Sequence, residues 1–259
     1  MLARTLVSLE PEKLHHLGAP PESGPAVHAA LLKALSATDP ERAKQLHNLG
    51  GSKPFAVTGL YAGSGPEGFG FQIGTVDDAL QSAFTNALEQ QETIRIAGSN
   101  FRVTHFDRAT EDWADLLSVA QKRWALRLLS PVTFRTSREN GARRAQPLPT
   151  PEAVFGSLLR RWQRFADISL PTQTAQVIDR HLTITDAALE TVRYLTKSPN
   201  IYEVGSIGEV TYTAVSPNDC PTDGLRGVTA LVRLGTYMGI GDQTTKGMGF
   251  VIPAGNDDQ

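Results

Sequence analysis

The side chains of this sequence best suited to chemistry are a histidine and a lysine set close together. His47 is followed six residues later by Lys53, with Gly50-Gly51 between them. A histidine can move a proton to or from an oxygen, and an ammonium can stabilise charge developing on a phosphate. His47 also falls at the end of a predicted short helix. The negative end of a helix favours a charged imidazole, which tunes its titration near neutrality. The plainer reading of any single histidine is a surface or packing residue. The chain holds six: His15, His16, His28, His47, His105 and His181. None stands in HExxH or another metal-ligand spacing. Cys220 is the only cysteine, which excludes an intrachain disulfide and a cysteine-based metal cage.

A second candidate is the run Gly239-Ile-Gly-Asp-Gln-Thr-Thr-Lys-Gly-Met-Gly249. It is not a Walker loop, because no GK[ST] follows its glycines. It is not a dinucleotide fingerprint, because it follows a predicted helix and precedes a strand, the reverse of that site's order. Glycines at 239, 241, 247 and 249 permit positive φ and close backbone approach. Amides exposed in such a loop can hold phosphate, with Thr244, Thr245 and Lys246 adding donors. The bland alternative is a helix C-cap followed by a turn.

Charge narrows the partner. The chain has 259 residues and a formal net charge of −2. From Gln121 to Arg164, however, ten basic residues (Lys122, Arg123, Arg127, Arg135, Arg138, Arg143, Arg144, Arg160, Arg161 and Arg164) face only Glu139 and Glu152. That segment is +8 and the remainder −10. Arginine dominates it, and its planar guanidinium suits phosphate recognition. A polyanion footprint is one reading and a solvated face with scattered ion pairs the other. Hydrophobic residues at 40% and charged residues at 20% are ordinary for a globular protein. No apolar run approaches the ~18 residues of a membrane span, and the N-terminus lacks a signal-peptide core. The expectation is therefore a cytoplasmic protein with no membrane partner.

These residues need a scaffold. Leu2 to Glu10 reads as a strand and Pro25 to Ser36 as an amphipathic helix. Asp39-Pro40-Glu41 supplies a cap, a proline at N1 and a first-turn acid for a helix ending near His47. Strands are predicted over Lys53–Tyr61 and 69–73, a helix over Val76–Gln90, and a strand pair over Thr93–Phe106. This strand-helix-strand-strand-helix-strand order is ferredoxin-like, or RRM-like. The second half has strand-like segments at Leu116–Ala120 and Trp124–Leu129, an Arg-rich loop at Thr133–Gln146, and a helix from Pro151 to Phe165. Strands follow at Leu182–Thr185 and Glu209–Ala214, then a helix from Thr222 to about Met238. The expected fold is α+β, with two tandem ferredoxin-like domains, 1–110 and 111–259, and a C-terminal glycine-rich loop.

Three runs of sequence together resemble a known family. The first is Val27-His-Ala-Ala-Leu-Leu-Lys through Asp39-Pro-Glu and Ala43-Lys-Gln-Leu-His47 to Lys53-Pro-Phe55. The second is Ser130-Pro-Val-Thr-Phe-Arg135 with Leu148-Pro-Thr-Pro151 and Val154-Phe-Gly-Ser-Leu to Arg161-Trp162. The third is the glycine-rich segment, the most specific of the three. Spanning residues 27 to 249, they are similar to the CRISPR repeat-processing endoribonucleases of the repeat-associated RNA-binding superfamily. The resemblance implies cleavage of CRISPR precursor RNA within its repeats with no metal or cofactor. The ribose 2′-hydroxyl attacks the adjacent phosphorus and leaves 2′,3′-cyclic phosphate and 5′-hydroxyl ends. His47 falls on the family's general acid/base, Lys53 on a lysine that stabilises the transition state in some members, and His28 is a reserve catalytic residue. Some members add a tyrosine in the first helix, where this chain departs with Leu31-Leu32. RNA contacts are expected from Arg135, Arg138, Arg143 and Arg144, then Arg160, Arg161 and Arg164, and from Gly239, Gly241, Thr244, Thr245, Lys246, Gly247 and Gly249. The implied partners are CRISPR repeat RNA and other subunits of an interference complex, with a homodimer left open. The alternative function is a repeat-RNA-binding subunit that does not cut.

Overall fold

From Ala3 to Leu9 every second side chain is buried, the two-residue period of a strand, and β1 (Leu2–Pro11) forms there. The computed structural model describes residues 1–12, 23–62, 69–137, 143–198, 201–216 and 219–254. The chain divides into two units: Met1–Thr110 with Thr244–Gly247, and Glu111–Gln243 with Met248–Gln259.

In the first unit β1 is followed by α1 (Gly24–Thr38), α2 (Pro40–Asn48), β2 (Phe55–Val57), β3 (Tyr61–Ala62), β4 (Phe69–Thr75), α3 (Asp78–Glu89), β5 (Ile94–Ile96) and β6 (Ser99–Glu111). Val27, Leu31, Ala34 and Leu35 recur at helical spacing and form the buried stripe of α1. At α2 the Asp39 carboxylate accepts the Arg42 amide at 3.0 Å, and Pro40 occupies the first turn, where its missing N–H costs nothing. Asp77 caps α3 likewise, accepting the Leu80 amide at 2.6 Å. The sheet order is β2-β4-β1-β6-β5, with β3 also on β4. β1 and β4 are antiparallel, Thr5 opposite Ile73 and Val7 opposite Phe71. Helices and sheet enclose Val7, Val27, Leu31, Leu35, Phe71, Ile73, Phe84 and Leu88.

The second unit runs α4 (Trp113–Leu116), β7 (Arg123–Val132), β8 (Phe134–Ser137), β9 (Arg143–Gln146), α5 (Pro151–Phe165), α6 (Gln173–His181), β10 (Leu182–Ser198), β11 (Ile201–Ala214), α7 (Thr222–Met238) and β12 (Val251–Pro253). Its antiparallel sheet has the order β10-β11-β7-β12, and β8 and β9 form a separate hairpin. Trp124, Phe155, Leu158, Trp162, Tyr212 and Leu231 are buried here. Trp162 meets Trp113 edge-on at 5.1 Å, and the buried Tyr212 hydroxyl donates to the Pro149 carbonyl at 2.6 Å. Taking β1, β2, β4, β6 and then β7, β10, β11, β12 as first to fourth strands, both sheets run second-third-first-fourth. Helices follow the first and third strands in each. This is the expected α+β fold of two ferredoxin-like domains.

Several local expectations change. Leu116–Ala120 is not a strand: Trp113 and Leu116, both buried and three residues apart, form a short helix instead. Thr133–Gln146 is not all loop, because β8 and β9 pair within it. α6 was not expected, since Val177 and Ile178 alone carry its buried aliphatic stripe. Strands at 182–185 and 209–214 are the ends of a far longer hairpin, β10–β11. Lys53–Tyr61 is two short strands, β2 and β3, both on β4. Among the described residues no helix is long and apolar enough to cross a membrane.

Candidate active site

The last turn of α2 carries His47, and the chain beyond it folds back so that Lys53 reaches the end of the same helix. The Lys53 Nζ donates to the Leu46 carbonyl at 2.5 Å and to the His47 carbonyl at 2.9 Å. An ammonium there satisfies carbonyls that a helix end leaves without partners and offsets its negative pole. His28 projects from α1 next to the buried Val27. Its ring stacks on Phe55 of β2, with centroids 5.7 Å apart and planes 6° from parallel. His28 is half-buried and His47 is exposed.

The glycine-rich segment adds a further cation. After α7 the chain forms a 3-10 turn at Thr244–Lys246, which packs on α1 and β2 of the first unit, and Gly247 makes a parallel bridge to Thr58. Lys246 thereby joins His28 and Lys53. Burial, and then the charges of Lys53, Lys246 and His47, push the His28 imidazole down to about 4, against a weak upward pull from the Thr245 carbonyl. His28 is therefore neutral at physiological pH. Its Nδ1 is buried and has no hydrogen-bond partner among the described residues. Burial and Lys246 also lower the Lys53 ammonium. Lys53, Lys246 and His47 thus all lie within electrostatic reach of His28. Of the pair Leu31-Leu32 on the same helix, Leu31 is wholly buried in the core and Leu32 is half-buried.

Part of the glycine-rich loop is tied to the protein's own backbone. Gly239, Gly241, Gly247 and Gly249 all have positive φ, between 68° and 84°. A Cβ on Gly241 would lie 2.2 Å from the Thr133 carbonyl oxygen. The amides of Ile240, Asp242 and Gly249 donate to the carbonyls of Gly249, Thr133 and Pro131 at 2.8–2.9 Å, and that of Gly241 reaches the Ser157 hydroxyl at 3.4 Å. The amides at 240, 241, 242 and 249 are thus engaged with the protein itself. Thr244 is buried, while Thr245 and Lys246 are half-buried.

The predicted arginines divide. Arg161 is a correction: it is 5% exposed and cannot meet a nucleic acid. Its guanidinium donates to the carbonyls of Met238 (2.9 Å), Gly239 and Gly241 (2.6 Å). Its place was visible in the sequence, since it stands seven residues after Val154 and three after Leu158, on the apolar stripe of α5. Burial pulls it down to about 10, so it stays cationic at neutral pH. Arg160 and Arg164 lie exposed on the other face, Arg164 stacked over Phe165. Arg144 is exposed on β9. Arg135 pairs with Glu203 at 2.8 Å and Asp242 at 3.1 Å, so two carboxylates already face it. Arg138 and the side chain of Arg143 lie outside the described residues, as do His15 and His16.

Residues 126–251 match the family model described as CRISPR-associated endoribonuclease Cas6. No curated protein sequence gives a match. Among solved structures, a Cas6 product complex superposes with a TM-score of 0.82 at 24% identity, covering 98% of this chain and 100% of that one. Thermus thermophilus Cas6 gives 0.74 at 24% identity, with 98% of each chain covered. A Cas6-related protein from Pyrococcus furiosus gives 0.68 at 16% identity over 100% of both chains. At these identities the superpositions establish the fold, and they do so along almost the whole chain. The match to that model takes in 126 residues, just under half of the chain, and the superpositions extend the shared fold over almost all of it.

Proposed function

We propose that this protein is a metal-independent endoribonuclease that cleaves CRISPR precursor RNA within its repeats by attack of a ribose 2′-hydroxyl. What supports this reading is that His47, Lys53 and Lys246 all act electrostatically on His28 within one unit. Transesterification needs three things. A base takes the 2′-hydroxyl proton as the O2′–P bond forms. An acid gives a proton to O5′ as the P–O5′ bond breaks. Positive charge offsets the dianionic phosphorane between them. Products are a 2′,3′-cyclic phosphate and a 5′-hydroxyl, and the nucleophile restricts the substrate to RNA.

His47, exposed at the end of α2, is the general acid/base. His28, neutral when free, can accept a proton, and an arriving phosphate anion would lift its basicity back toward the useful range. Lys53 gives two of its three N–H donors to helix carbonyls, which fixes the ammonium and leaves one donor for a phosphate oxygen. Lys246 and Thr245 contact the RNA backbone from the glycine-rich loop. Arg144, Arg160 and Arg164 hold the remainder of the repeat through its phosphates. The test is His47→Ala. Its single-turnover cleavage rate should fall by about 10²–10⁴ with repeat-RNA affinity retained. A variant that cuts as fast as the native protein removes His47 from the chemistry. A native protein that binds repeat RNA and leaves it intact is instead the non-cutting subunit.

A further inference from the structure

A fully buried arginine is a costly feature, and Arg161 has no part in the chemistry above. Three of its hydrogen bonds go to one stretch of backbone. Met238 ends α7, and Gly239 and Gly241 begin the glycine-rich loop. A plain helix cap would stop at the first of these carbonyls. Arg161 continues past the end of α7 to Gly241, three residues before Thr244. On the other side the same stretch is fixed by the bond from the Asp242 amide to the Thr133 carbonyl. It is also fixed by the absence of a side chain at Gly241, where any Cβ would strike that carbonyl. Planar guanidinium suits this use: its N–H groups diverge in a rigid fork and can hold several carbonyls at set angles, which an ammonium on a flexible stem cannot.

We propose that Arg161 is a positioning residue: it fixes the take-off of the glycine-rich loop so that Lys246 is held beside His28 and Lys53. The loop carries Lys246 five residues beyond Gly241, with Gly247 anchored at Thr58. With the take-off released, positive-φ glycines at 239 and 241 allow the loop many other paths. Lys246 then spends most of its time elsewhere. This inference concerns the geometry of the loop. Its consequence for cleavage rests on the function proposed above.

Two arms test it, one independent of activity. In the first, the His28 titration is followed by NMR in the native protein, Arg161→Ala and, as a control for loss of the Lys246 charge, Lys246→Met. The groups facing His28 are Lys53, Lys246, His47 and the Thr245 carbonyl. Removing one cation should move the His28 midpoint upward by roughly one unit, and Arg161→Ala should reproduce the Lys246→Met shift. In the second arm, single-turnover cleavage of repeat RNA by Arg161→Ala should drop about 10²-fold, the scale expected for a misplacement near 1 Å. Added methylguanidinium should recover part of that loss, which a general loss of stability would not allow. Gly241→Ala leaves Arg161 intact and displaces the same take-off, so it should shift His28 in the same direction, and it serves if Arg161→Ala does not fold. A folded Arg161→Ala or Gly241→Ala protein whose His28 titrates as in the native chain overturns the proposal. If the native protein leaves repeat RNA uncut, the catalytic reading fails while the titration still decides the positioning role.

Discussion

Replacing Lys53 with methionine separates two tasks that this lysine performs at once. Its ammonium caps α2 through the Leu46 and His47 carbonyls, and it also stands beside His28. Methionine keeps the apolar stem and removes the charge and the donors. A cation at a helix end contributes about 0.3–1 kcal/mol when exposed and up to about 2 when partly buried. Lys53 is half-buried, so about 1 kcal/mol of stability should be lost, which lowers Tm by about 2–4 °C in a chain of this size. The chemical effect should be far larger. A group that stabilises charge only in the transition state is worth about 10²–10³ in rate, or about 2.7–4 kcal/mol. The assay is single-turnover cleavage of repeat RNA at saturating protein, with Tm and RNA affinity measured on the same samples. Lys53→Met should melt slightly earlier, bind RNA nearly as tightly, and cut at least about a hundredfold more slowly. An earlier melt with native cleavage would make Lys53 a helix cap and nothing more.

Three other perturbations probe the frame around the site. His28 titrates at about 4 when folded against 6.5 unfolded, so only the unfolded chain gains its proton between these values. Stability is thus full above about pH 6.5, declines as pH falls, and levels off below about 4, for at most ~3 kcal/mol. His28→Gln should flatten that part of the curve of urea midpoint against pH, and parallel curves for the two proteins would disprove the linkage. Phe84 is wholly buried and meets Phe55 edge-on at 5.2 Å, so Phe84→Ala should cost about 3–5 kcal/mol in urea unfolding. A loss below about 1 kcal/mol would mean the ring is not part of a packed core. Arg160→Gln with Arg164→Gln should weaken RNA binding and make the slope of log K against log salt shallower by about 0.7–0.9 for each phosphate contact removed. An unchanged slope takes α5 out of the interface.

What could be read in advance followed from how local the determinants are. The caps at Asp39 and Thr150, each followed by proline, mark helix starts by chemistry within four residues, and α2 and α5 begin there. The strand-helix order gave the ferredoxin-like fold because apolar periodicity survives in both sheets. β10 and β11 escaped for the opposite reason. Much of β10, including 184–188, is exposed on both faces, so its residues carry no alternation to detect. At the site, His47 and Lys53 are joined by one short turn, and their proximity is a local fact. Lys246 is linked to His28 only through tertiary packing across some two hundred residues, and nothing in its own neighbourhood announces the contact. Arg161 was misread for a subtler reason. Its charge suggested solvent or phosphate, while its spacing from Val154 and Leu158 placed it on the buried stripe. Where charge and periodicity disagree, the backbone carbonyls that a buried guanidinium can reach decide the outcome.

The most direct test of the central claim uses a repeat RNA carrying a single 2′-deoxyribose immediately before the scissile phosphate. The native protein should cut the all-ribose strand, in the presence of a chelator, to a 2′,3′-cyclic phosphate and a 5′-hydroxyl. It should bind the substituted strand with similar affinity and leave it whole. Cleavage of the deoxy-substituted strand at that phosphate would contradict the account, because the nucleophile would then come from somewhere other than the RNA.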